Sequence, residues 1–372
     1  MNIKSIQRIQ QKYFCRDVTC HVRKRVFQML NNEFKSLVYK GFPPNHACCD
    51  SAWRRLPNGE QGVFFLTGNN GEPQPGNFVA LCRSSDEGET WSEHEVVLAN
   101  PAGAATLSEV VVNNGVITLY VQLHHGAFDH WETCTIQSTD SGKSWSEPVS
   151  FVPLPRRSMI RSLYRTSWGE WLLPFQYHEV REHWTSSVMT DGSLDNPWNG
   201  VLIGSSPDGP WQESGRIQGA VRWAEVNVVE LSDSCLVMLS RSQGAGVLLR
   251  SESTDRGRSW SNYQRTDIPN PGSKFRLFRL RDGRIALLHN PSAMTSHPNS
   301  KRNCAVNRNP LALWISDDDM KSWSYQHIIT DFPGMLAYPD GEIEDEERFL
   351  HFAFDYNRHD VIYWRVEIPP LL

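Results

Sequence analysis

The 372-residue sequence predicts an all-β fold, a six-bladed β-propeller of four-stranded antiparallel blades. Three observations carry this expectation. A short polar turn ending in tryptophan recurs five times along the chain. Six plainer hairpin turns alternate with those five, so a unit of roughly 45–60 residues repeats, each holding four strands. No amphipathic helix of crossover length separates the apolar stretches, which disfavours a parallel sheet.

The tryptophan turns come first. Ser84-Ser-Asp-Glu-Gly-Glu-Thr-Trp91, Ser138-Thr-Asp-Ser-Gly-Lys-Ser-Trp145 and Ser253-Thr-Asp-Arg-Gly-Arg-Ser-Trp260 align directly. Ile315-Ser-Asp-Asp-Asp-Met-Lys-Ser-Trp323 reads as the same turn with one extra residue, and Ser205-Ser-Pro-Asp-Gly-Pro-Trp211 as a shortened form. In such a turn the aspartate accepts backbone N–H bonds and glycine supplies a positive φ. The indole is expected to fold back over its own hairpin.

The second kind of turn reads Leu56-Pro-Asn-Gly59, Val112-Asn-Asn-Gly115, Thr166-Ser-Trp-Gly169, Leu231-Ser-Asp-Ser234, Leu280-Arg-Asp-Gly283 and Tyr338-Pro-Asp-Gly341. Counting both kinds gives blades near 45–100, 105–151, 157–215, 221–265, 272–330 and 334–368. The sixth has three strands of its own, ending in Val361-Ile-Tyr-Trp-Arg-Val366, and Phe34-Lys-Ser-Leu-Val-Tyr39 is expected to supply the fourth. Residues 34–372 thus form one propeller domain. Residues 1–33 form an extension, with a helix expected within 3–30, where Val18, Val22, Val26 and Leu30 recur every fourth position.

Composition narrows the partners. With 39% hydrophobic residues, 21% charged residues and a net charge of −5, the chain suits a globular core and not a broad nucleic-acid surface. No apolar run approaches the roughly 18 residues that span a bilayer, and the N-terminus makes a poor signal peptide. The expectation is cytoplasmic. The eight cysteines form no Cys-x-x-Cys pair, so free thiols are expected, with no metal and no cofactor.

Blade topology then says where a site must lie. The start of strand one, the end of strand two and the start of strand three share one face of the disc, opposite the tight turns. The segments at those corners are rich in histidine, arginine and tyrosine. Nine of the 13 histidines fall there, among them His46, His124, His125 and His178, together with Arg161 and Arg358. One face is therefore built for polar recognition or chemistry.

With these turns and corners, the sequence resembles the sialidase (neuraminidase) superfamily, and the tryptophan turns resemble its Asp-boxes, or BNR repeats, over nearly the whole chain from about residue 40. In that family the Asp-boxes sit away from the active site, so Asp86, Asp140 and Asp255 read as structural. The resemblance implies a tyrosine nucleophile assisted by a glutamate, an arginine triad that holds the substrate carboxylate, and an aspartate acid/base. The tyrosine has a rationale, since a neutral phenol approaches a carboxylate-bearing anomeric carbon without the repulsion a carboxylate would meet.

Residue by residue, Trp223-Ala-Glu-Val-Asn-Val-Val-Glu-Leu231 resembles the segment with the activating glutamate, which is Glu225, while Glu230 faces another layer. Arg241 and Arg308 resemble the second and third arginines, and Tyr338 the nucleophile. The place of the first arginine reads Phe42-Pro-Pro-Asn-His-Ala-Cys48 and offers His46 instead. The acid/base place, Thr67-Gly-Asn-Asn-Gly-Glu72, offers Glu72, with Asp50 a weaker candidate. Candidate substrate contacts are Arg241, Arg308, His124, His125, Arg161, His178 and Arg358. The resemblance therefore implies an exo-glycosidase acting on an acidic sugar of a glycan. A uronic-acid lyase, a histidine-dependent glycosidase and a non-catalytic carbohydrate-binding propeller remain as alternatives.

Overall fold

The computed structural model describes residues 33–42, 45–126, 131–155, 157–177, 198–217, 224–242, 245–292, 308–330 and 332–371; the helix expected within 3–30 lies outside them. Blade one comprises β2 (Cys48–Arg55), β3 (Gln61–Thr67), β4 (Phe78–Ser84) and β5 (Glu95–Ala99), after β1 (Phe34–Lys40). Blade two is β6 (Ala104–Asn113), β7 (Val116–His124), β8 (Glu132–Ser138) and β9 (Val149–Ser150). In blade three, β10 (Ser158–Ile160) and β11 (Tyr164–Arg165) both pair with β12 (Trp171–Tyr177), followed by β13 (Trp198–Gly204) and β14 (Trp211–Glu213). Blade four is β15 (Val226–Glu230), β16 (Leu236–Ser240), β17 (Val247–Ser253) and β18 (Gln264–Pro269). Blade five is β19 (Arg276–Arg279), β20 (Ile285–His289), β21 (Leu311–Ser316) and β22 (Tyr325–Thr330). Blade six runs β23 (Leu336–Ile343), β24 (Phe349–Tyr356), β25 (Asp360–Glu367), and β1 completes it.

All pairs are antiparallel. β1 lies along β25 with Phe34 opposite Arg365 and Lys40 opposite Asp360, so the ring closes by strands from the two ends of the fold. Among the described residues, no helix is long and apolar enough to cross a membrane. Deleting residues 1–30 should leave soluble yield and thermal unfolding close to wild type, because β1 survives. Deleting 1–42 should depress both, since it removes a closing strand and bares the edge of β25. Equal yields from the two truncations would contradict the closure.

The Asp-boxes follow one plan, and blade five corrects the alignment expected for one of them. In blade one, Asp86 Oδ1 accepts from Ser84 Oγ at 2.7 Å and from Thr90 N at 2.9 Å, while Gly88 N donates to Ser84 Oγ at 2.9 Å. In blade five, Asp318 accepts from Ser316 and Ser322 in the same way, and Met320 N donates to Ser316 Oγ at 2.8 Å. There is no extra residue. Met320 occupies the glycine place with φ near 60°, where Gly88 has 87°. Its buried side chain offsets the unfavourable backbone by packing with Leu231 and Val237 of blade four.

The indoles also differ from expectation. Trp91 packs against Tyr363 of blade six, centroids 5.4 Å apart, and donates to Ser36 Oγ of β1 at 2.8 Å. Trp145 of blade two packs edge-on against Phe64 of blade one. Each turn overhangs its own outer strands, so the large apolar face available to the indole belongs to the preceding blade. In these blades the Asp-box fastens neighbours together.

The turn expected at Tyr338-Pro-Asp-Gly341 is absent, and β23 runs through it to a turn at residues 344–348. A register shift between Ala337 and Asp340 takes Tyr338 and Pro339 out of the ladder, so the proline costs no hydrogen bond. A Cβ on Gly341 would overlap the His351 carbonyl; the glycine serves close strand approach, and Asp340 turns inward to the axis.

Candidate active site

Each blade's first strand, with the residues that lead into it, faces the axis and brings ionised side chains there. In blade order these are Arg54, Glu109, Arg161, Glu225, Lys274 with Arg276, and Asp340, so the sign of charge alternates around the ring. All are buried. The deeper layer is closed by direct pairs. Arg54 Nη2 meets Glu109 Oε1 at 2.5 Å and its Nη1 meets Asp340 Oδ1 at 2.8 Å. Arg276 reaches Glu109 Oε2 at 3.0 Å, and Lys274 Nζ reaches Asp340 Oδ2 at 2.9 Å. Burial alone would raise the Asp340 pKa, but Arg276, Lys274 and Arg54 override it and hold the carboxyl far below its usual range.

Above this layer lies the site. Tyr338 enters at a strained backbone, φ near 57°, and Asp50 in β2 does the same at 50°, both beside strand irregularities. These kinks take the two side chains off the sheet pleat. The Tyr338 ring is surrounded by three guanidinium groups, with Arg308, Arg358 and Arg241 carbons 4.6, 5.1 and 5.6 Å from its centroid. Arg241 Nη1 donates to the Tyr338 hydroxyl at 3.0 Å and also to Glu225 Oε2. Thus Arg241 stands between the phenol and the carboxylate. Glu225 Oε1 accepts from Arg161 at 3.3 Å, and Arg161 reaches across to Asp50 at 3.4 Å. Burial opposes the Glu225 charge, yet Arg241 and Arg161 outweigh it and lower its pKa, keeping the carboxylate ionised.

Arg308 is different. It is 5% exposed, its Nη2 donates to the Gly272 carbonyl at 2.9 Å, and it makes no ion pair among the described residues. Its Nε is buried with no hydrogen-bond partner among the described residues. A buried guanidinium held this way is set up to receive an anion.

On the opposite flank, Glu72 accepts from Cys49 Sγ at 2.9 Å and pairs with Arg358. Arg358 also meets Asp355 at 3.3 Å, and its carbonyl accepts from Cys48 N, tying the β24–β25 turn to the opening of blade one. Cys49, Asp50 and Glu72 have donor atoms within 4.8 Å of one another, an arrangement that could hold a metal ion. Arg358 at Glu72 and Arg161 at Asp50 already bring positive charge there.

Burial pushes the fully buried Asp355 carboxyl up to about 6, against the pull of Arg358 and Arg308. Its proton is bound more tightly in the folded state, so its stabilising contribution is complete below about pH 4 and is lost as pH rises through 6. A rise from 3.8 to about 6 corresponds to roughly 3 kcal/mol. Wild-type protein should therefore lose melting temperature between pH 4.5 and 7 relative to Asp355→Asn. Parallel melting curves across that range would refute the assignment.

Of the residues singled out by sequence, Tyr338, Glu225, Arg241, Arg308, Arg161, Arg358 and Glu72 come together. The described histidines among the candidates do not join them. His46 is exposed and stacks on His359, centroids 5.2 Å apart. His124 is buried within blade two, one ring nitrogen 2.9 Å from Thr106 Oγ1 and the other accepting from Gly126 N. His125 is exposed beside blade one, and His178 lies outside the described residues. Glu230 braces the β11–β12 turn through Ser167, away from the site. Sequence reasoning gave no role to Asp355 and Lys274, although both stood in its corner segments. It gave no role to Arg54 either. The signal available for Glu109 was a single charged residue inside the first strand of its blade, Ala104–Asn113.

A ring of six four-stranded blades, Asp-boxes on the outer turns and an arginine-lined tyrosine on the axis define a sialidase-type propeller. The chain belongs to the BNR repeat-like domain family of the sialidase superfamily, matching its model over residues 63–351. A sialidase of Paraclostridium sordellii is 21% identical over 213 residues, half of this chain and half of that protein. Among solved structures, a Hadza microbial sialidase matches with a TM-score of 0.68 at 14% identity, over 87% of this chain and 66% of its own. Trypanosoma rangeli sialidase in complex with sialic acid matches at 0.62 and 15%, over 90% and 58%.

Proposed function

We propose that the protein is an exo-acting glycoside hydrolase that removes a carboxylate-bearing sugar, sialic acid or a close relative, from the end of a glycan. The observation that carries this reading is the cage of guanidinium groups around Tyr338, with Arg308 buried and lacking a carboxylate partner among the described residues. Arg308 and Arg241 bind the substrate carboxylate and set the anomeric carbon over the phenol. The Tyr338 oxygen attacks that carbon as the bond to the leaving oxygen breaks, and the phenol proton passes to Glu225 as Arg241 Nη1, which lies between the two, shifts onto the substrate carboxylate. Arg241, 3.0 Å from the hydroxyl, stabilises the negative charge that develops there. Glu72 gives a proton to the leaving oxygen; water then attacks the anomeric carbon and gives its proton to Glu72, the bond from that carbon to the Tyr338 oxygen breaks, and Glu225 returns its proton to restore the phenol. The relatives named as sialidases, one of them bound to sialic acid, support the substrate class.

The test is product analysis with sialyllactose. Free sialic acid and lactose support the reading. An unsaturated product absorbing in the ultraviolet would point to a lyase, and binding without turnover to a non-catalytic propeller.

A further inference from the structure

Asp355 stands behind the anion site and takes no part in the mechanism above. It lies on β24 directly opposite Ala337, the residue before Tyr338, and is fully buried. Its Oδ2 accepts from Arg358 Nη1 at 3.3 Å, while Oδ1 is buried with no hydrogen-bond partner among the described residues. After Arg358, the charges that act on it are those of Arg308, Asp50 and Glu72, in falling order. Two of the three guanidiniums around the Tyr338 ring, Arg308 and Arg358, therefore feel this carboxyl.

Charge balance gives that position its consequence. Around the phenol, Arg161, Arg241, Arg308 and Arg358 face Asp50, Glu72, Glu225 and Asp355. With every group ionised, four positive charges meet four negative ones, and no net charge is left to attract a carboxylate. A proton on Asp355 leaves one positive charge uncompensated, beside Arg358 and Arg308. The neighbouring groups do not alter this count. Lys274, 4.0 Å from Asp50, belongs to the deeper layer, where Asp340 holds it at 2.9 Å. Burial keeps the Cys48 and Cys49 thiols protonated, and His359 and Asp360 at the rim pair with each other. Burial also pushes the Asp355 carboxyl up to about 6, so its two states exchange in mildly acid solution.

Resting on the carboxylate-binding reading above, we propose that Asp355 sets the affinity of this site for the substrate carboxylate. Protonated, it leaves Arg358 and Arg308 to the substrate; ionised, it competes for them. Proton and substrate therefore bind together, and by linkage each strengthens the other. Affinity is highest where Asp355 is protonated and falls as pH rises through the exchange. Asp355 acts through the two arginines and touches no reacting atom, so its effect falls on KM.

The test follows wild type and Asp355→Asn, whose amide keeps the shape of the protonated acid, on sialyllactose from about pH 5 to about pH 7.5. Wild-type KM should rise about tenfold over that range. Asp355→Asn should hold KM nearly flat, while its kcat profile keeps the wild-type shape. Calorimetry of N-acetylneuraminic acid binding at about pH 6.5, in two buffers of different ionisation heat, reads the linkage in wild type without any variant. It should show proton uptake, and Asp355→Asn should show none. Uptake near zero in wild type, or a KM that climbs equally in both proteins, would overturn the role of Asp355 and leave the hydrolase reading standing. Proton-linked binding that depends on Asp355, without cleavage of sialyllactose, would overturn the hydrolase reading and leave Asp355 in its role.

Discussion

On the proposed mechanism, Tyr338→Phe should lower turnover of an acidic glycoside by roughly 10²–10⁴-fold while leaving substrate binding nearly intact. The substitution removes one oxygen and one hydrogen bond, from Arg241, and keeps the ring among Arg241, Arg308 and Arg358. Those guanidiniums still hold the carboxylate, so the loss falls on kcat. Glu225→Gln should cost a similar factor, because a neutral phenol is a weak nucleophile without a base to take its proton. Acting as one unit, the pair predicts a double variant little worse than the poorer single one. Glu225 also compensates Arg241 and Arg161, so melting temperature must be followed beside the kinetics. Near-normal kcat in Tyr338→Phe would remove the tyrosine from the mechanism.

Replacing Asp340 by alanine should destabilise the fold by about 3–5 kcal/mol, the usual cost of leaving buried charge uncompensated. Asp340 answers Arg54 at 2.8 Å and Lys274 at 2.9 Å, and all three side chains are almost wholly buried. The Arg55–Glu87 pair on the surface is as short, 3.0 Å, yet its side chains are 36% and 62% exposed. Glu87→Ala should therefore shift stability by about 1 kcal/mol or less. Urea unfolding of the two variants separates them. Comparable midpoints would mean that water enters the axis and screens the ring.

The architecture was legible because each device that repeats is local. An Asp-box is eight residues whose hydrogen bonds run within the turn, as in Ser84–Trp91, and alternation of two turn types counts strands without any tertiary knowledge. Legibility ended where a local pattern served a distant partner. Tyr338-Pro-Asp-Gly341 has turn composition, but its aspartate answers Arg54, 286 residues away in sequence, and its glycine admits the His351 carbonyl. Met320 hides an Asp-box because packing on blade four offsets a φ that sequence assigns to glycine. The candidate residues Glu225, Arg241, Arg308 and Tyr338 came from the resemblance, and blade topology alone had reached the corner segments holding Arg161 and Arg358. The axial pairs were not foreseen, since ion pairing across blades leaves no trace in spacing. Nor did histidine content distinguish a reactive ring from one such as His124, held by its own blade.

Whether a covalent intermediate forms on Tyr338 decides between mechanisms, and trapping it is the most direct measurement. A sialosyl fluoride carrying a second fluorine at C3 forms a glycosyl–enzyme that breaks down slowly, so the adduct can be weighed intact and located by peptide mass spectrometry. A tyrosine nucleophile predicts one sugar per chain, attached within the Leu336–Ile343 strand at Tyr338, and no adduct in Tyr338→Phe. Full turnover of the reagent with no adduct, or an adduct on Glu72, Asp50 or a histidine, would contradict it.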